Sequence, residues 1–154
     1  MAIRLITKDP DPILRKIAKQ VTKFDERLHR LLDDMAETMY DANGVGLAAP
    51  QVAISKRVIV IDTGDGLIEC VNPEIIEKKG EQFGPEGCLS IPGINGDVRR
   101  AQYVKVRAQN RFGEEIEIEG EDLLARAFQH EIDHLNGVLF TDLAEQIYHG
   151  NVER

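Results

Sequence analysis

An α+β domain with antiparallel or mixed β-strands is the fold class that the sequence predicts, on three observations. Helical spacing comes early, in "FDERLHRLLDDMAETMYDANG" (24–44). Short β-branched or alternating stretches then follow, separated by turn residues: "RVIVID", "LIECVNP", "RAQYVKVRAQN" and "EEIEIEG". Helical spacing returns in "EDLLARAFQHEIDHLNG" (121–137). Helix, then a group of strands, then helix is the order of an α+β domain rather than of alternating βα units. The expected arrangement packs the strands around a central C-terminal helix, with the N-terminal helices outside.

Taken in order, "DPDPILRKIAKQV" (9–21) reads as a short helix entered through proline. In the next segment Asp25 is the expected N-cap. Leu28, Leu31, Leu32, Met35 and Met39 recur at three-and-four spacing on one face, and Asn43-Gly44 marks the stop. His29 falls on the opposite, solvated side of that helix. Among the strands, "GLIECVNPEI" places Cys70 as a small buried hydrophobe. "FGPEGCLSIPG" (83–93) is crowded with glycine and proline and reads as a constrained loop around Cys88. The last helix ends at Asn136-Gly137, a C-terminal cap signal.

Acidic residues outnumber basic ones by 27 to 19, a formal charge of −8, which argues against general binding to nucleic-acid phosphates. No apolar run approaches the roughly 20 residues needed to cross a bilayer. "MAIRLITKDPDP" lacks the apolar core and small-residue cleavage site of a secretory signal, so a cytoplasmic location is expected. Two cysteines in such a chain are more often free, metal-bound or catalytic than paired.

The chemistry concentrates in "QHEIDHLNG" (129–137). At about 100° per residue, His130 and His134 sit roughly 40° apart, one turn above the other, so both imidazoles can reach one ion. Glu131 stands beside them. This is HExxH, in which two histidines bind a metal and the glutamate serves as general base for an attacking water. Leu123, Ala127 and the stem of Arg126 project toward the same side, while Asp122, Gln129 and Asp133 form the polar remainder.

A catalytic metal site usually needs a third protein ligand. The longer pattern HExxHxxGxxH is matched through Gly137 and broken at Phe140, so its last histidine is absent. Glu145, Glu153 and His149 lie in a short polar tail, with little chain left to anchor them. Cys88 is the best candidate: a thiolate suits a borderline-soft divalent metal, and its loop is conformationally constrained.

"GVGLAAPQ" (44–51), "EGCLS" (86–90) and "QHEIDHLNG" match, in order and spacing, the three signature motifs of the peptide deformylases, and the chain resembles that family over essentially its whole length. The resemblance implies one deformylase-like catalytic domain over 1–154. It implies one divalent metal held by Cys88, His130 and His134, with Fe2+ favoured and Zn2+, Ni2+ or Co2+ able to take the site. The implied reaction is hydrolysis of the N-terminal formyl group of formylmethionyl nascent peptides, releasing formate. Glu131 would be the base, with the Gln51 side chain and the Leu89 backbone N–H as donors to the oxyanion. The peptide would lie extended beside Val45, Gly46 and Gly87, with methionine in an apolar pocket near Leu123, Arg126 and Ala127. Ribosome association would fit this role; a membrane would not.

Two positions depart from the family pattern: some relatives carry glutamate in place of Asn43, and many carry arginine in place of Asn95. The second change is expected to alter contact with the peptide beyond methionine, with Arg99 or Arg100 as compensation. A metallopeptidase and a non-catalytic metal-binding protein are the competing readings. The cysteine beside "GLAAPQ" opposes the first. Retention of Glu131 and Gln51, which a closed structural site does not need, opposes the second.

Overall fold

The computed structural model describes residues 2–149. Its elements are a 3-10 turn at Pro12–Arg15, α1 (Glu26–Asp41), β1 (Gly46–Ala48), a second 3-10 turn (Ala49–Val52), β2 (Val58–Ile61), β3 (Ile68–Lys79), β4 (Gln82–Cys88), β5 (Ile91–Arg100), β6 (Tyr103–Gln109), β7 (Glu115–Glu121), α2 (Asp122–Leu135), α3 (Phe140–Leu143) and β8 (Gln146–His149). All pairings between these strands are antiparallel. Five strands form one sheet in the order β1-β2-β3-β6-β7, and three form another in the order β4-β5-β8. The fold is therefore α+β, with two sheets and few helices.

The alternation of side chains along β2 explains the layering. Val58 and Val60 point to one face of the five-stranded sheet and pack with Leu28, Leu31, Leu32, Met35 and Met39 of α1. Ile59 and Ile61 point to the other face and pack with Phe128, Ile132 and Leu135 of α2. The sheet is thus buried on both sides at β2, whose four residues are all inaccessible. A third cluster joins Leu14, Leu139 and Phe140 to Cys88, Ile91 and Val98 of the smaller sheet. The face of α2 that carries the histidines lies between the two sheets, as the ion pairs from α2 to β4 described below require.

Both long helices match their sequence signals. The Asp25 carboxylate accepts from the Leu28 N–H at 3.2 Å, and Gly137 has a φ of +74° directly after the Asn136 cap. Asn43 takes φ +58° at the end of α1, a left-handed position that asparagine tolerates better than glutamate would.

Three expectations are corrected. The first helix shrinks to one 3-10 turn because the chain beyond it bonds elsewhere: Ala18 N–H donates to Leu135 O (2.8 Å) and Lys19 N–H to Ser55 O (3.1 Å). The glycine- and proline-rich "loop" around Cys88 is a strand pair, β4 with β5. Two steps from Glu86 to Cys88 are matched by five from Gly96 to Ile91, and that large irregularity absorbs Pro92 and Gly93. His29, expected in solvent, is half-buried, with Nε2 2.8 Å from Arg111 O and its ring edge-on to Phe112.

Candidate metal centre

Helix α2 and strand β4 bring three ligating side chains together. The ligand atoms of Cys88, His130 and His134 all lie within 4.8 Å of one another, and all three residues are buried. Cys88 Sγ is 3.4 Å from His134 Nε2. Two ligands at metal distances of about 2.0–2.3 Å in a tetrahedral arrangement are about 3.6 Å apart, so the spacing suits a shared ion. His130 Nε2 is buried without a hydrogen-bond partner, which a metal bond would satisfy. The residues therefore fit a metal.

Phe140 is where the longer histidine pattern broke. Its ring stacks on His130, with centroids 6.1 Å apart and planes inclined by 24°.

Glu131 is 1 % exposed. Burial pushes its carboxyl up to about 7, against the opposing pull of His130 and Arg100. Its Oε1 is buried without a hydrogen-bond partner. The carboxylate lies against Gly46, where an added methyl would come within 2.6 Å of Oε2.

Gln51 is fixed in orientation. Its Oε1 accepts from the Ala48 N–H (3.0 Å), so its Nε2 donates toward Cys88 Sγ (3.6 Å) and Ser90 Oγ (3.1 Å). The amide N–H thus points at the ligand cluster. Leu89 follows Cys88 directly, and its side chain packs beneath Gly44.

Behind His130 lies Glu86, which is fully buried. Glu86 Oε1 accepts from His130 Nδ1 (2.8 Å) and Arg100 NH2 (2.9 Å), and Oε2 from Arg100 Nε (2.8 Å) and Arg126 NH1 (2.6 Å). Burial alone would raise the Glu86 pKa, but Arg100 and His130 outweigh it and hold the group well below the usual carboxylate range. Burial likewise would lower the His130 pKa, but the neighbouring Cys88 and the Glu86 carboxylate outweigh it and raise it above the ordinary value. Burial and the adjacent His130 push His134 well down.

The other expected residues divide. Val45 is half-buried, Gly46 is buried against Glu131, and Gly87 is buried next to Cys88. Leu123 sits about 10 Å up the helix from His130, by a rise of 1.5 Å per residue, in a surface groove with Thr63, Asp65 and Leu124. Ala127 is enclosed in the core between α2 and the larger sheet. Arg126 is 4 % exposed, its guanidinium turned inward to Glu86, Gly84 O and Val98 O. Gln129 and Asp133, on the polar side of α2, bond the end of β5: Gln129 Oε1 accepts from the Ala101 N–H (3.0 Å) and Asp133 from Arg100 (2.6 Å).

Asn95 is the clearest correction. It is 1 % exposed, within β5 and beside Tyr148 of β8, and not on a peptide-facing surface. Arg99 pairs at the surface with Glu81 and Glu145, and Arg100 is buried with Glu86 and Asp133. Of the rejected ligands, Glu145 is held by Arg99 and His149 is exposed on β8; Glu153 lies outside the described residues. Sequence reasoning assigned nothing to Glu86, although its position two residues before Cys88 on a strand puts both side chains on one face.

Residues 3–149 match the family model described as polypeptide deformylase. A peptide deformylase of Acetivibrio thermocellus is 64% identical over 142 residues, covering 92% of this chain and 84% of the relative. Peptide deformylase 1 of Bacillus anthracis is 57% identical over 153 residues, 98% of each. The crystal structure of peptide deformylase from Thermotoga maritima superposes with a TM-score of 0.92 at 49% identity, covering 95% of this chain and 100% of the other.

Proposed function

This chain belongs to the polypeptide deformylase family, and from that premise we propose how its residues remove the N-terminal formyl group from nascent peptides. It is a hydrolase of the family's reaction. The observation that carries the residue assignment is the buried cluster of Cys88, His130 and His134 with Glu131 and the aimed Gln51 amide around it.

Cys88, His130 and His134 would hold one divalent metal, which when bound supplies a water of lowered pKa and polarises the formyl oxygen. Ferrous iron is the metal we assign, with Zn2+, Ni2+ and Co2+ able to replace it at such a thiolate and imidazole set.

Glu131 takes the proton of the attacking water and later delivers it to the departing amine. Its buried setting suits both roles, because a carboxyl with a pKa near 7 exchanges protons readily at neutral pH. Gln51 Nε2 and the Leu89 N–H donate to the oxyanion as the formyl carbon becomes tetrahedral. Gln51 does so without reorganising, since the Ala48 N–H already fixes its amide.

The peptide lies extended along Val45, Gly46 and Gly87, bonding through its backbone, so sequence beyond the first residue matters little. Of the apolar-pocket residues, Leu123 and Ala127 are kept as its rim and wall, and Arg126 is not, because its guanidinium turns inward to Glu86. Residues 1–154 act as one catalytic domain, in the cytoplasm, on peptides emerging from ribosomes. Among the described residues no helix is long and apolar enough to cross a membrane.

The test is anaerobic purification with metal analysis, followed by formate release from formyl-Met-Ala-Ser and from the unformylated peptide as control. Stoichiometric metal with formate from the first peptide alone is the expected result. Cleavage of an internal bond, or full metal occupancy without formate release, would overturn the assignment.

A further inference from the structure

Arg126 belongs, by its place on α2, among residues beside the substrate, yet its charge is buried on the opposite side of His130. NH1 lies 2.6 Å from Glu86 Oε2, 3.2 Å from Val98 O and 3.4 Å from Gly84 O, and Nε lies 3.2 Å from Gln82 Oε1. One guanidinium therefore ties α2 to both β4 and β5. An ion pair this enclosed is costly to form, and it contributes only where its geometry is held on all sides.

Its consequence runs through Glu86. An ionised carboxylate offers about four lone-pair sites. Arg100 fills two, Arg126 one and His130 Nδ1 one. With no proton of its own to offer, Glu86 accepts only, so His130 Nδ1 must be the donor, and Nε2 is the ring atom left to face a metal. That Nε2 is the buried, unpartnered atom facing Cys88 and His134. Arg100 alone grips Glu86 from one edge. Arg126 bonds Oε2 from a different element, and so removes the freedom of the carboxylate to swing about the Arg100 fork.

We propose that Arg126 is a positioning residue, which clamps Glu86 against Arg100 and thereby fixes the ring plane and tautomer of His130 for metal binding. The inference rests on the assignment of His130 as a ligand. It separates Arg126 from the methionine pocket, and it predicts that loss of the guanidinium is felt by the metal rather than by the peptide. Loss of an outer partner of a ligating histidine lowers metal affinity by about 10–100-fold in general.

The experiment uses the cobalt(II)-loaded protein, with wild type compared against Arg126→Met, Arg126→Lys, Glu86→Gln and the double variant Arg126→Met/Glu86→Gln. Cobalt affinity is read by chelator competition, the ligand field by the visible absorption bands, and kcat and KM separately on formyl-Met-Ala-Ser. Arg126→Met is expected to weaken cobalt binding by about 10-fold or more and to shift the visible bands, with KM within about 2-fold of wild type. Arg126→Lys, which keeps charge and fold, is expected to recover part of that loss. In the Glu86→Gln background, Arg126→Met should add nothing further. Unchanged cobalt affinity with a raised KM would return Arg126 to the substrate pocket and overturn the proposal. A lowered melting temperature with wild-type affinity and bands in either variant would reduce it to a scaffold residue, also overturning it. If wild type itself binds no cobalt, the underlying ligand assignment fails instead, and the proposal falls with it.

Discussion

The Glu131 carboxylate rests directly on the backbone of Gly46: a methyl on that glycine would lie 2.6 Å from Oε2 and 2.9 Å from Cγ. Gly46 has no left-handed φ to account for, so what the position requires is closeness, not conformational freedom. Gly46→Ala must therefore displace the base. A misplacement of about 1 Å costs on the order of 10²-fold in rate, so kcat is expected to fall by about 10–100-fold while metal content and melting temperature stay near wild type. Wild-type kcat in this variant would remove the contact from the mechanism.

Glu131→Gln tests the base itself. The amide keeps the volume and, lacking a charge, relieves the burial that raises the carboxyl to about 7. Metal content should be retained and deformylation should drop by about 10²–10⁴-fold, the usual worth of a positioned proton acceptor. Formate release at wild-type rate would reassign the base.

Cys88→Ala addresses the third ligand. Cys88 Sγ is the only sulfur in the cluster, and among the described residues no fourth His, Cys, Asp or Glu joins it. Metal per chain, measured after gel filtration, should fall from near one to near zero. Retained stoichiometric metal would show that the ligand set is wrong.

The helices were legible because their signals are local. Asp25, the buried leucines and methionines of α1, and Asn136-Gly137 each act within a few positions of the element they define. The strand at Cys88 was not, because glycine and proline content is a local signal while the burial of β4 against Leu14 and Phe140 is not. Proline is tolerated at the edge of a sheet, and β4 is an outer strand of its three. Glu86 was unreadable for the same reason: its partners Arg100, Arg126 and His130 stand 14, 40 and 44 residues away. A helical wheel placed Arg126 on the correct face but could not say which way a long side chain turns its charge.

Asn95 yields a prediction opposite to the one its sequence position invites. Both polar atoms of its side chain are buried and without a hydrogen-bond partner. An unsatisfied buried polar group costs about 1–3 kcal/mol, so Asn95→Val should raise stability by about that amount in urea unfolding. KM for formylated tripeptides and tetrapeptides should not change. A weakened KM for the longer peptide alone would restore the outer-substrate role.

Acid sensitivity should begin at the N-terminal segment. Asp34 Oδ1 accepts from the Ala2 N–H (2.7 Å) and Oδ2 from Arg4 Nε (2.9 Å), pinning residues 2–4 onto α1. Burial alone would raise the Asp34 pKa, but the Ala2 N–H and the Arg4 guanidinium outweigh it and lower the pKa below the usual value. A carboxyl whose folded pKa is depressed contributes stability that is fully present above its unfolded pKa, about 3.9, and is lost as pH falls through the folded value. Asp34→Asn keeps the shape but not the charge, so it should be less stable than wild type by about 1–2 kcal/mol at pH 7. The two unfolding curves should then converge below about pH 4, as wild-type Asp34 takes up its proton. A gap between the two proteins that is independent of pH would mean that the tether owes nothing to the ionised form.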